Sequence, residues 1–358
     1  MKKLSLFLVL VFVALTVSAC TGTPVIYTTN CNCPGACQTN GAPVQNENTP
    51  APAEGDLKTG LAIVASAKDS KSCADGANGE AKYDVSVAAV TVDQNGKIAS
   101  CIIDAIGASI AFDNQGQVIV DTNAQILTKN ELKENYGMKK VTGKYEWYEQ
   151  ADALAKYTVG KTIEEVKNGA VNESGKAKDA DLASVATIYI GGYVDAIEKA
   201  YANAQNLGAK AGDEMRLAIT SAYAAGANAA ADKAGNTELD VDACVLTVNG
   251  GVITSCVIDS VQAKVSFDAQ GQIVSGTEGN ALTKNELKEN YNMKAWGKAK
   301  YEWYEQAASF CKYVTGKTFD EVKNIAVDAG TKPAEADLAS TVTIAIGGFQ
   351  GLISKAAN

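Results

Sequence analysis

The decapeptide LTKNELKENY occurs twice in this 358-residue chain, at Leu127–Tyr136 and, letter for letter, at Leu282–Tyr291. Around it the chain repeats more loosely. YEWYEQA stands at Tyr145–Ala151 and Tyr301–Ala307, and GKIASCIIDA (Gly96–Ala105) is answered by GVITSCVIDS (Gly251–Ser260). FDNQGQ from Phe112 is answered by FDAQGQ from Phe267. The offset holds at 155 or 156 residues and defines two homologous domains, at 58–205 and 213–358. Each has the length of an ordinary independent domain. Whatever the first copy folds into, the second must fold into as well.

Both copies share one local grammar. LAIVASA (Leu61–Ala67) and YDVSVAAVTVD, where Val85, Val87 and Ala89 alternate, read as strands. Asn95-Gly96 then separates two apolar runs, a strong hairpin signal. Gln115-Gly116 predicts a second hairpin between two short strands. The later part of each copy is helical. Thr128/Glu131 and Thr162/Glu165 make capping boxes, repeated as Thr283/Glu286 and Thr318/Glu321. Trp147, Ala151, Leu154 and Ala155 share one helix face and form a core stripe. Strands followed by helices predict an α+β fold: two tandem domains, each an antiparallel sheet of hairpins and then helices. The GKT triplets at Gly160 and Gly316 are not phosphate loops. Ala155 and Cys311 stand where the motif requires glycine.

Composition narrows the function. The chain has no histidine, which removes Ser-His-Asp and Cys-His nucleophile pairs and the usual catalytic zinc sites. No catalytic residue is nominated. The opening MKKLSLFLVLVFVALTVSAC has a basic start, an apolar stretch and the small pair Ser18-Ala19 before Cys20. It resembles a bacterial lipoprotein signal over residues 1–19, which implies lipidation of Cys20 and anchoring to the membrane outside the cytoplasm. Removing residues 1–19 takes two lysines and no acid, moving the net charge from −9 to −11. That balance excludes nucleic acid as a partner, because such binding rests on cations that neutralise phosphates. Residues 20–57, rich in Pro, Asn, Thr and Gly, read as a lipidated flexible stalk. They hold Cys31, Cys33 and Cys37, one thiol short of a four-cysteine site, with a disulfide, free thiols and a metal or redox role all open. Cys101 and Cys256 occupy equivalent strand positions, where cysteine usually serves as a small buried apolar residue.

One further repeated pattern bears on chemistry. DLASVATIYIGG (Asp181–Gly192) is answered by DLASTVTIAIGG (Asp337–Gly348). Read as helix, the segment makes Asp181 and Ser184 candidate N-caps, with Thr187 in the first turns and the apolar positions from Val185 onward on one face; a short strand through TIYI is the alternative. A helix N-terminus is a natural seat for phosphate. The hairpin VTVDQNGKIASCIID and the spacing Asp181, Ser184, Ala186, Thr187 resemble the bacterial FMN-binding domain, whose D-x-x-S-G-A-T motif receives FMN as an ester on its threonine. Asp337, Ser340 and Thr343 match in the second copy. Val185 and Thr341 replace the motif's glycine. The resemblance implies an FMN-binding-like fold, FMN on Thr187 and Thr343, and Asp181 and Asp337 beside the phosphate or the Mg²⁺ used in attachment. It also implies extracytoplasmic electron transfer with a redox partner protein. The residues taken alone leave a second reading open, a cofactor-free lipoprotein that binds a small solute or a surface partner through two linked modules.

Overall fold

The computed structural model describes residues 55–357. The leader, Cys20, the Cys31/Cys33/Cys37 cluster and nearly all of the stalk lie outside the described residues. In the first copy, strands β1 (Asp56–Ser66), β2 (Gly79–Val92), β3 (Ile98–Phe112) and β4 (Val118–Ile119) come first. Helices α1 (Lys129–Leu132), α2 (Met138–Thr142), α3 (Trp147–Thr158), α4 (Ile163–Ala170), α5 (Ala180–Val185) and α6 (Gly191–Ala202) follow. After β5 (Gln205–Lys210), the second copy builds β6 (Glu214–Tyr223), β7 (Gly235–Asn249), β8 (Val252–Phe267), β9 (Ile273–Ser275) and β10 (Asn280–Ala281). It closes with α7 (Lys284–Leu287), α8 (Met293–Gly297), α9 (Trp303–Val314), α10 (Phe319–Lys323), α11 (Ala336–Ala339) and α12 (Gly347–Ala356). The fold is α+β, with two antiparallel sheets, each followed in sequence by helices. Among the described residues no helix is long and apolar enough to cross a membrane.

The hairpins form because their turns supply the required conformations. Asp93 Oδ1 accepts the N–H groups of Asn95 and Lys97 at 2.9 and 2.8 Å, and Gly96 takes a positive φ of 73°. The expected separate strands at CIIDAI and SIAF are one continuous β3, because Gly107 passes through without breaking the ladder with β2. All four expected capping boxes are present.

The burial pattern of β2 explains the layering. Its Val85, Val87 and Ala89 face one apolar cluster, while Ala88, Val90 and Val92 face another. The second cluster is the helical layer, where Trp147, Leu154, Val166, Leu182 and Ile197 cover the sheet. The first cluster joins the copies: Ile63, Tyr83, Val85 and Phe112 pack against Ile219, Leu239, Val241 and Phe267. An equivalent cluster packs α9 and α12 on the outer face of the second sheet. The order is therefore helices, sheet, sheet, helices. The strands are buried on both sides, so their alternation is blurred wherever both neighbours are apolar.

Contacts across the seam come in reciprocal pairs. Phe112 and its counterpart Phe267 stack on each other with centroids 4.2 Å apart and planes 3° from parallel. Such a pair contributes about 1 kcal/mol beyond area burial. Cys73 N–H donates to Gly271 O at 2.9 Å, and Ala229 N–H donates to Gly116 O at 2.7 Å. Lys199 reaches Glu286 at 2.9 Å, and Lys355 reaches Glu131 at 2.7 Å. Strand β10 of the second copy also pairs with β1 of the first, as does β5.

Gly116 and Gly271 sit at the centre of this exchange with φ of +70° and +68°. A Cβ on Gly271 would lie 2.3 Å from Cys73 Sγ and 2.8 Å from Asp113 O, so neither conformation nor space admits a side chain. Gly271→Ala and Gly116→Ala are each expected to cost roughly 1–3 kcal/mol. Urea denaturation checks this, and equal stability with wild type would remove the seam from the account.

Candidate functional site

The structure places the six motif residues in two equivalent structural joints. Asp179, two residues before Asp181, is the N-cap of α5, its side chain accepting Leu182 N–H at 3.0 Å. Asp181 and Ser184 lie inside the helix, which corrects the expectation that they cap it. Ser184 Oγ donates to Asp181 O at 2.7 Å, and Ser340 Oγ repeats this to Asp337 O at 2.7 Å. The helix also does not run on from Val185. It stops because Thr187 N–H, Thr187 Oγ and Ile188 N–H all donate to one acceptor, Gln150 Oε1, at 2.8, 3.1 and 3.2 Å. Thr343 and Ile344 do the same to Gln306 Oε1 at 2.8, 3.2 and 3.2 Å. TIYI is likewise not a strand, contributing only an isolated bridge from Tyr189 to Lys176.

These bonds test whether the joint fits FMN phosphate. The two N–H groups and the hydroxyl that a phosphate would use are already bound to a fully buried glutamine. The motif's glycine position is filled by a half-buried Val185. As arranged, the residues do not fit a phosphate seat, and no chemical step is derived through a flavin.

The repeated segments have a matching explanation, since within each copy LTKNELKENY docks on YEWYEQA. Lys129 Nζ lies 5.1 Å from the Tyr136 ring and 5.2 Å from the Trp147 ring, and Lys284 repeats this at 5.2 and 5.1 Å from Tyr291 and Trp303. Tyr148 OH donates to Glu134 and Tyr304 OH to Glu289, both at 2.9 Å. A lysine held between two rings is a structural clamp. Lys129, Lys284, Tyr136 and Tyr291 are thus partnered within the fold.

A different place has the shape of a binding site. A cavity of about 840 Å³ opens on the seam between the copies. Its floor is apolar, with Leu61, Cys256, Ile258 and Cys311, and its rim carries Asn206 and Lys312. Leu61 comes from β1, Asn206 from β5, Cys256 and Ile258 from β8, and Cys311 from α9, so both repeats build the wall. The volume lies in the range of small-molecule sites, and an apolar floor with a sparse polar rim is their usual lining. A counterpart of about 350 Å³ lies around Asp104, Thr128, Glu131 and Lys355. The two clefts occupy equivalent positions, and the one in the second copy is larger. Among the described residues no group of His, Cys, Asp and Glu side chains suits a metal ion.

Asp259 forms part of the larger cavity's wall. Its carboxylate accepts Ser260 N–H at 2.8 Å and Asn285 N–H at 3.1 Å, fastening α7 to β8. Burial raises its pKa from 3.8 to about 6, only partly offset by the hydrogen bonds from Thr283, Ser260 and Asn285. Asp104 is raised in the same direction for the same first reason, burial. Glu286, beside Asp259, is also pushed up by burial, but the Thr283 N–H and Lys199 prevail and hold it below the usual carboxylate range. Sequence reasoning missed this site. Its one signal was the break in repeat symmetry, Cys311 where the first copy has Ala155.

Compared with known proteins, the chain matches no family model, no curated protein and no solved structure. Fold and site together define a class: a duplicated α+β protein of helices, sheet, sheet and helices, with a cavity at the seam of its two copies.

The raised Asp259 predicts a pH dependence. The folded state binds this proton more tightly than the unfolded chain, so the group favours folding below pH 3.8 and that contribution is lost as pH rises through about 6. Over the full range this amounts to about 3 kcal/mol. Asp259→Asn removes the titration, so its stability relative to wild type is expected to improve by roughly 1–3 kcal/mol between pH 5 and pH 7.5. Urea denaturation at both pH values measures this, and a constant difference would contradict the assignment.

Proposed function

We propose that the folded body binds a small amphipathic solute in the cavity at the seam, and that the lipid implied at Cys20 holds it at the outer side of the membrane. The cavity is the observation that carries this reading. It is large enough for a solute, apolar at its floor and walled by both copies. Gln205 and Asn206 line the cavity with amide groups, and the cations Lys288 and Lys312 are matched by the carboxylates of Asp259 and Glu286. Nothing in this reading requires catalysis, and the protein acts as a binding lipoprotein.

Ala308 is exposed on α9 and lines the cavity, so Ala308→Trp adds bulk there without disturbing the core. Anilinonaphthalenesulfonate, an anionic apolar dye, is expected to bind the native protein at one saturable site. The variant should bind it ~10-fold or more weakly, a difference of about 1.4 kcal/mol, with an unchanged melting temperature. Equal dye affinity in both proteins would sink the proposal.

The flavin reading is the second, supported by the hairpin, the Asp-Ser-Thr spacing and the exposure of Thr187. It would make the protein a carrier in extracytoplasmic electron transfer. With the Thr187 and Thr343 hydroxyls committed to Gln150 and Gln306, co-expression with a flavin transferase is expected to leave both threonine peptides at their unmodified mass. A gain equal to one FMN less one water on either peptide would establish the flavin reading instead.

A further inference from the structure

We propose that Cys256 and Cys311 are a redox-active dithiol on the cavity floor, which closes to a disulfide by exchange with a small disulfide entering the cavity. Cys256 lies on β8 and Cys311 on α9, with their sulfurs 3.3 Å apart and the Cys256 thiol donating to Cys311. Both are free thiols, 3% and 6% exposed, and both belong to the cavity wall. Bonded sulfurs stand at ~2.05 Å, so closure requires an approach of about 1.2 Å across one helix-on-sheet contact.

The repeat provides an internal control. The first copy keeps a cysteine at the strand position, Cys101, but has Ala155 at the helix position. Ala155 is as buried as Cys311, at 6%. Packing at that point therefore does not require sulfur, and the second thiol belongs to the copy with the larger cavity. Cys244 is fully buried and, unlike the pair, does not line the cavity.

The exchange balances without a further co-reactant. The Cys311 thiolate, supported by the Cys256 S–H, attacks one sulfur of a small disulfide R–S–S–R. That bond breaks and the first RS⁻ leaves. Cys256 then loses its proton and attacks Cys311 Sγ, displacing the second RS⁻. The two protons from the cysteines neutralise the two RS⁻. The protein dithiol is oxidised by two electrons, and the small disulfide is reduced to two RSH. Burial pushes the Cys256 thiol well above its ordinary range, so the exchange quickens as pH rises. The assignment stands on the geometry of the floor and is independent of which solute the cavity holds.

Oxidised glutathione is the probe. The full chain is incubated with it at pH 8, quenched with iodoacetamide in denaturant, and mapped as non-reduced peptides. The expected product is a Cys256–Cys311 linked peptide pair lighter by two hydrogens, with Cys101 and Cys244 alkylated. Cys311→Ala copies the first repeat, so it should keep the wild-type melting temperature and lose the linked pair. Alkylation of both Cys256 and Cys311 in the treated wild-type chain would overturn the proposal. So would a link from either of them to Cys244.

Discussion

Each sheet has two apolar faces, and its own helices cover only one of them. In the first copy Ala88, Val90 and Val92 lie under the helical layer, which leaves Ile63, Tyr83, Val85, Val87 and Phe112 facing outward. Burying one such side chain is worth on the order of 1.5–3 kcal/mol, so an uncovered face of this size is incompatible with a stable monomeric sheet. The second copy supplies the cover, because its own sheet has the same problem. The seam behaves like a two-fold homodimer interface contained in one chain: the same patch serves on both sides and each contact has its converse. The Phe112–Phe267 stack lies between counterpart residues, and the glycine-turn bonds and lysine–glutamate pairs flank it as reciprocal sets.

The proposed binding cavity lies where this symmetry breaks. Tyr83 places a hydroxyl in the shared core, 2.7 Å from Thr237 Oγ, whereas its counterpart is Leu239. Burial raises the Tyr83 pKa to about 12, so the phenol stays neutral and acts as a hydrogen-bonding partner. On the outer face, Ala88 and Ala155 of the first copy become Cys244 and Cys311. The clefts at Asp104 and Asp259 differ in the same way, about 350 against 840 Å³. One copy keeps a tight joint, and the other opens it.

What could be read in the sequence was local. Capping boxes and turn residues act within a few positions of themselves, so Thr128/Glu131 and Asn95-Gly96 announce their structures directly. Long-range partners leave no such mark. The acceptor that consumes the Thr187 donors is Gln150, 37 residues upstream, and nothing around DLASVATIYIGG points to it. Asp179 displaced Asp181 as the cap because the helix begins two residues earlier, at Ala180, where the Asp179 carboxylate accepts Leu182 N–H. The strand character of β2 was legible in its alternation, but not that a second copy of the chain covers one of its faces. Nor does LTKNELKENY mark that Lys129 packs between the Tyr136 and Trp147 rings.

Glu286 ties these levels together. It is the third residue of the α7 capping box, the partner of Lys199 from the other copy, and part of the cavity wall. Lys199 also donates to Ile63 O at 2.8 Å, on the outer edge of β1. A solute seated against this wall touches groups from both copies at once, so its binding energy adds to the seam that holds the copies together. Binding to the folded state alone stabilises it in proportion to the logarithm of solute concentration. The same coupling runs through the floor, where a Cys256–Cys311 bond would fix α9 against β8. Solute and thiol state would therefore act on one element, the wall shared by β8, α7 and α9. In the first copy that wall has no second thiol and only the smaller cleft.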